Sequence, residues 1–140
     1  MVMNEQQRHQ LLTVARESIR MRLLGTRDLK PTRAEFPDDA YWVEQGVFVT
    51  LTEDSELRGC IGTILPVLPV IAAIAENAVC AAFRDPRFEP VEESEFARLA
   101  IEISLLSVPR EITFSSVPAL VAKLAGEHPG VILQYGGRQA

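Results

Sequence analysis

Cysteine and histidine are scarce in this chain, and their scarcity narrows the chemistry that it can perform. There are two of each among 140 residues. The cysteines, Cys60 and Cys80, lie outside any C-x-x-C pair, so the sequence predicts no disulfide framework. A metal centre needs convergent Cys, His or carboxylate ligands, and no such spacing is present. We therefore predict two free thiols in a reducing cytoplasm and no metal, and no cofactor is evident.

Long apolar segments are also missing. The uncharged, largely apolar run at residues 61–75 is shorter than the roughly 20 residues that span a bilayer, and Pro66 and Pro69 interrupt it. Residues 1–10 are polar and lack the apolar core of a signal peptide. The sequence predicts no membrane segment.

The chain has no excess of positive charge and no nucleotide-binding loop. Its net charge is −5, whereas nucleic-acid binders usually carry a basic face. It contains no G-x-G-x-x-G or Walker-type loop and no serine nucleophile elbow. Nucleic acid is therefore not an expected partner.

What is present is the composition of an ordinary globular protein. Hydrophobic residues make up 47% of the chain and charged residues 24%, which argues against disorder. A length of 140 residues predicts one domain over residues 1–140. The oligomeric state is left open.

The first predicted element is a helix over residues 5–24. Asn4 is placed to cap it, with Gln7 in the capping-box position, and Gly25 is placed to end it. An apolar stripe at helical spacing, widened by Leu11, predicts the buried face. The stripe consists of Leu12, Ala15, Ile19 and Leu23. Residues 26–45 have no sustained period and predict a loop.

A β-hairpin follows, and its return strand contains the most distinctive residues of the chain. Residues 47–51 and 57–64 are the predicted strands, joined by a polar turn at 53–55. Strict alternation puts Arg58 and Cys60 on one face. Glycine weakens a strand unless the backbone is approached closely, so Gly59 and Gly62 suggest open space beside the thiol. They could instead let a helix pack against the strand.

The second half alternates between helices and strands. We predict a helix over residues 69–84 with Asn77 and Cys80 facing away from the sheet, ended by Asp85-Pro86. A helical turn at 92–96 and a strand at 99–106 come next. The last elements are a helix at 118–125 closed by Gly126, a strand at 130–135, a turn at Gly136-Gly137 and a three-residue return strand. A return strand of three residues pairs poorly, which predicts a chain shortened at its C-terminus or paired with another strand.

Two segments together resemble a known family. The hexapeptide Leu57-Arg58-Gly59-Cys60-Ile61-Gly62, followed after a helix by Asp85-Pro86-Arg87-Phe88, is similar to the hallmark of the AMMECR-type domain family. The strand at 102–106 and the hairpin from Gly130 to Arg138 also resemble it. The resemblance implies an α/β (α+β) fold with a mostly antiparallel sheet, flanking helices and a small accessory subdomain. It also implies Memo-type and radical-SAM proteins as partners, and a biochemical activity that is undefined.

The hexapeptide and the D-x-R-F element supply the candidate site residues. Cys60 and Arg58 are the candidate catalytic pair, because a cationic neighbour favours the thiolate. The candidate binding residues are Gly59, Ile61, Gly62, Asp85, Arg87 and Phe88. The opposing explanations are that Cys60 is a small buried hydrophobe, that Arg58 pairs with Asp54 or Glu56, and that Arg87 pairs with Asp85.

Two functions remain open from the sequence. The first is a small enzyme or enzyme component that acts on a small molecule, an RNA or a protein, with Arg58 binding an anionic group. The second is a non-catalytic binding or adaptor module that uses the hexapeptide as its docking surface.

Overall fold

The structure is a computed structural model that describes residues 2–140. It divides into two compact units, of which the first ends at Pro109 and the second is Arg110–Ala140. The first unit contains helices packed on an antiparallel three-stranded sheet, and the second contains a helix and a short hairpin. This combination confirms the predicted fold class. A single domain over residues 1–140 stays a prediction.

Helix α1 (Glu5–Leu23) begins and ends where the sequence predicts. Asn4 and Gln7 form a complete capping box, and Gly25 follows the last turn with φ +71°, which is a conformation that glycine adopts without strain. The buried positions are Leu11, Val14, Ala15, Ser18 and Ile19. Leu12 is 38% exposed, so the predicted stripe is wrong at that residue. Both leucines fit a helical period, but only Leu11 joins the buried core.

The sheet has the order β2-β1-β3, with β1 (Gly46–Glu53) between β2 (Glu56–Thr63) and β3 (Leu99–Leu106). Both pairings are antiparallel. The β1–β2 turn consists of Asp54 and Ser55, which both have positive φ, as the tightest hairpins require. This confirms the predicted hairpin.

Helix α2 (Val70–Phe83) follows Pro69 and packs on β1 and β2, while α1 packs on α2 and β3. The β1 side chains on the core face of the sheet are apolar and fully buried; they are Val47, Val49 and Leu51. Asn77 is also buried, and its Nδ2 donates to the carbonyl oxygen of Val47 at 3.1 Å. The expectation that Asn77 faces away from the sheet is therefore wrong, because its amide satisfies a buried backbone acceptor.

Two 3-10 helices complete the first unit, at Asp39–Trp42 and Glu93–Arg98. In the second unit, α3 (Val117–Glu127) continues through Gly126 and is capped by His128, which has φ +47°. The prediction that Gly126 closes this helix is therefore wrong. Strands β4 (Gln134–Tyr135) and β5 (Arg138–Gln139) flank a glycine turn.

Within residues 2–140, no helix combines the length and the apolar character needed to cross a bilayer.

Candidate functional site

Three elements converge around Cys60. They are β2, which lies at the edge of the sheet, the turn that follows α2, and the 3-10 helix Glu93–Arg98. The turn contributes Asp85, Arg87 and Phe88, so both segments of the family resemblance meet at one edge of the sheet. Helix α2 lies between the two segments and leads the chain back to β2. Residues that are 25 or more positions apart in the sequence are therefore in contact.

Asp85 and Arg87 clamp the backbone of Cys60. The Cys60 N–H donates to Oδ2 of Asp85 at 3.0 Å, and Nη2 of Arg87 donates to the Cys60 carbonyl oxygen at 3.4 Å. An edge strand has backbone groups that no neighbouring strand satisfies. Here the Asp85 carboxylate and the Arg87 guanidinium bond to the backbone of Cys60 in place of a neighbouring strand. These bonds hold the middle of the hexapeptide in position.

Asp85 is held as an anion. Its side chain is 2% exposed, and it accepts further hydrogen bonds from the backbone N–H of Arg87 and from its Nε and Nη2. The Arg87 guanidinium, followed by the Cys60 N–H, keeps the pKa of Asp85 far below its ordinary value. These hydrogen bonds order the turn and tie it to the backbone of Cys60.

Arg58 is paired with a residue that lies far away in the sequence. Its Nε and Nη2 donate to the two carboxylate oxygens of Glu95 at 2.8 and 3.2 Å, and Glu53 lies 3.8 Å from its Nε. Asp54 and Glu56 are not its ion-pair partners among the described residues. The hydrogen bond with Glu95 raises the pKa of Arg58, and the same bond lowers the pKa of Glu95 to about 2.

The Cys60 thiol contacts a residue that the sequence interpretation missed. Oγ1 of Thr50, on the neighbouring strand, lies 3.2 Å from Cys60 Sγ, and Cys60 is half-buried. The pairing register between β1 and β2 shifts between Leu51 and Thr52. The regular alternation of side chains, from which Arg58 and Cys60 were predicted to share a face, is therefore interrupted in this part of the hairpin. The sequence signal that could have identified Thr50 is its position opposite Cys60 when the two strands of the hairpin are paired.

Phe88 connects the two arginines. The guanidinium carbons of Arg58 and Arg87 lie 6.0 and 5.4 Å from the centre of its ring. Both distances are within the range at which a cation is attracted to an aromatic face. Phe88 therefore joins the hexapeptide and the D-x-R-F turn into one surface.

The glycines of the hexapeptide leave no open space in the direction of a side chain. A Cβ on Gly59 would lie 2.1 Å from the carbonyl oxygen of Ala81 in α2, and one on Gly62 would lie 2.3 Å from that of Val47. The expected space beside the thiol is therefore absent at these two positions, and close packing explains both glycines. Ile61, between them, is half-buried against the core.

No group of three or more potential metal ligands occurs among residues 2–140. The side chains around Cys60 therefore offer hydrogen bonds, two guanidinium groups and an aromatic ring. The catalytic and binding roles of the eight candidate residues stay predictions.

The ion pair of Arg58 predicts sensitivity to acid. Because the pKa of Glu95 is about 2 in the folded chain, below its ordinary 4.5, the pair contributes stability at neutral pH. That contribution is lost as the pH falls from about 4.5 towards 2. Urea unfolding at a series of pH values should show it, and Glu95→Gln should give a less stable protein with a shallower acid dependence. An unchanged dependence would contradict this role of Glu95.

Known proteins are similar to this chain over most of its sequence. The family model AMMECR1 matches residues 12–140. A protein of Methanothermobacter thermautotrophicus is 36% identical over 129 residues, which cover 90% of this chain and 65% of that protein. Protein MJ0810 of Methanocaldococcus jannaschii is 39% identical over 95 residues, covering 66% of this chain and 47% of the relative.

A solved structure shows the same relationship. The uncharacterized protein PH0010 of Pyrococcus horikoshii is similar with a TM-score of 0.68 and 34% identity, over 74% of this chain and 53% of that protein. The chain thus spans about half to two-thirds of the length of these relatives. Since the family model covers nearly the whole sequence, the chain belongs to the AMMECR1 family.

Proposed function

We propose that the chain is a binding module whose docking surface is the hexapeptide strand together with the D-x-R-F turn. The clamp of Asp85 and Arg87 on the Cys60 backbone is the observation that supports this function best. A rigid surface loses little conformational entropy when a partner binds, so such fixed geometry favours recognition.

The electrostatics of the surface favour binding over catalysis. Glu95 neutralises Arg58, and Asp85 neutralises Arg87. An arginine that is already paired raises the local positive potential less than a lone one, so its effect on a neighbouring thiol is reduced. The more exposed of the two guanidinium groups, that of Arg87, still presents planar donors to solvent. Arginine is enriched at protein interfaces.

Two side chains of the surface are accessible to a partner. Leu57 is 44% exposed, and the Arg87 side chain is 56% exposed. An exposed apolar side chain and an exposed arginine suit contact with a protein better than contact with a small polar molecule. Memo-type and radical-SAM proteins, implied by the family resemblance, are the partners that we propose, in the cytoplasm and with both thiols free.

A matched pair of leucine variants tests the docking surface. Leu57→Asp is expected to weaken capture of a purified Memo-type or radical-SAM protein at least about tenfold, since it puts a charge into an apolar contact. Leu24→Asp changes a more accessible leucine, 59% exposed, directly after α1. Leu24→Asp should leave capture unchanged, and biolayer interferometry measures both. Equal affinities for the two variants would argue against this surface.

A catalytic thiol is the second candidate function. The 3.2 Å contact between Cys60 Sγ and Thr50 Oγ1 favours it, because a hydroxyl can donate to a thiolate. The rate of iodoacetamide labelling as a function of pH decides between the two. A labelling midpoint well below the ordinary thiol value of about 8.5 would support an activated nucleophile, and that midpoint should rise in Thr50→Val. An ordinary midpoint supports the binding module alone.

A further inference from the structure

Thr50 and Cys60 lie on the face of the sheet that points away from α2. In β1, the residues on either side of Thr50 are fully buried on the core face, and successive side chains of a strand point to opposite faces. In β2, Gly59 faces α2, because a Cβ there would meet the Ala81 carbonyl oxygen. Its neighbour Cys60 therefore faces the other way, which agrees with the 3.2 Å contact between Sγ and Oγ1 of Thr50.

Glu102 extends this pair into a row of three residues across three strands. The register places Thr50 opposite Cys60 of β2 and opposite Glu102 of β3. Residues directly opposite each other point to the same face, with Cβ atoms about 4.5–5.5 Å apart. The pairing of β1 with β3 runs without a shift, and the shift between β1 and β2 comes after Thr50. A thiol, a hydroxyl and a carboxylate therefore lie side by side, held by pairings that are internal to the sheet.

The row contains one hydrogen that two neighbours compete to accept. The Thr50 hydroxyl has a single hydrogen and can also accept, whereas an ionised carboxylate only accepts and a thiol is a weak donor and a weak acceptor. A hydrogen bond to a charged acceptor is about twice as strong as one between neutral groups. The stronger acceptor for the hydroxyl hydrogen is therefore Glu102, which leaves Oγ1 to accept from the Cys60 S–H.

We infer that Glu102 sets the direction of the hydrogen bond between Thr50 and Cys60, as a positioning residue that acts through the hydroxyl. Thr50 donates to Glu102 and accepts from the thiol. A thiolate has no hydrogen to donate, so forming it either brings two lone pairs face to face or takes the hydroxyl hydrogen away from Glu102. The ionised carboxylate therefore keeps the thiol in its neutral, weakly nucleophilic form. This direction favours the binding module over a catalytic thiol.

The other charges around Cys60 are held in pairs. Asp85 and Arg87 bond to each other and to the Cys60 backbone, and Glu95 pairs with the arginine of the hexapeptide. Glu102 is the charged member of the row itself. For its consequence the inference rests on the proposed docking surface, since a neutral thiol does not react when a partner docks beside it.

Two alanine substitutions that remove the same charge test the inference. Glu102 is exposed, and Glu102→Ala removes the acceptor from the row. Cys60 should then react with iodoacetamide about fivefold faster at a pH below the ordinary thiol midpoint, the factor that corresponds to one hydrogen bond. Glu5→Ala removes a charge from the exposed first turn of α1, on the core side of the sheet, and should leave the rate unchanged. Mass spectrometry of the labelled peptides gives the rate at Cys60, with Cys80 as the reference in each sample.

Substitutions of Thr50 show whether the effect passes through the hydroxyl. In a Thr50→Val background, Glu102→Ala should raise the Cys60 rate less than about twofold at physiological ionic strength, because salt screens the charge effect that remains. Thr50→Ser keeps the hydroxyl and should keep the fivefold increase. Circular dichroism establishes whether each variant is folded.

Two results would overturn the inference. One is an equal Cys60 rate in folded Glu102→Ala and in the wild-type chain. The other is an increase of the same size in the Thr50→Val and Thr50→Ser backgrounds. Neither result bears on the docking surface, which the capture experiment with the Leu57 and Leu24 variants tests separately.

Discussion

Gly59→Ala is expected to lower the free energy of unfolding by about 3 kcal/mol or more, or to prevent folding. Its new methyl group would lie 2.1 Å from the carbonyl oxygen of Ala81. That oxygen belongs to the backbone of α2, so relief requires the helix to move away from β2. Because α2 also packs on β1, such a shift disturbs the core. Urea unfolding followed by circular dichroism measures the loss.

Gly126→Ala is the matched control for this prediction. Gly126 lies within α3, and a Cβ there meets nothing within 4 Å. Alanine is the better helix former, so this change should be neutral or stabilise the helix by about 1 kcal/mol. If Gly59→Ala proved as harmless as Gly126→Ala, close packing against α2 would not be the reason for the glycine in the hexapeptide.

Asp85→Ala is expected to destabilise the chain by about 3 kcal/mol, because several charge-assisted hydrogen bonds to a buried carboxylate are lost together. The substitution removes the acceptor of the Cys60 N–H and of three N–H groups of Arg87. It releases both the turn and the edge strand. The urea midpoint should fall, and hydrogen exchange at the Cys60 amide should accelerate more than exchange within α1.

Two further variants separate the parts of the clamp. Arg87→Ala should cost about 1 kcal/mol or less, since its side chain is more than half exposed and solvent screens the pair. Asp85→Asn should fall between the two alanine variants, because its amide oxygen can still accept from Cys60. If Asp85→Ala and Arg87→Ala were equally stable, the bond to the Cys60 backbone would contribute nothing measurable.

The clamp explains why the two segments of the family resemblance occur together. A strand at the edge of a sheet needs protection from unwanted pairing, and the D-x-R-F turn protects β2 with side chains. This leaves the hexapeptide ordered without covering it by another strand. A surface of that kind can both resist aggregation and present side chains such as Leu57 to a partner.

The sequence by itself determined the features that depend on neighbours a few residues away. The capping box of Asn4 and Gln7, the left-handed Gly25 and the tight turn before β2 all form through local backbone geometry. Residue types that favour helix caps and tight turns occur at these positions, so the local sequence pattern predicts the structure directly. The hexapeptide and the D-x-R-F element were identified differently, by their resemblance to a known family.

Only the tertiary structure decided which partners these residues have. The bond from Arg58 to Glu95 joins positions 37 residues apart, and several acidic side chains were equally suitable until folding placed one within reach. The same is true of Thr50 beside Cys60, of Leu11 in preference to Leu12, and of the α2 carbonyl against Gly59. Such contacts depend on how whole elements pack and where a register shifts, which local preference does not specify.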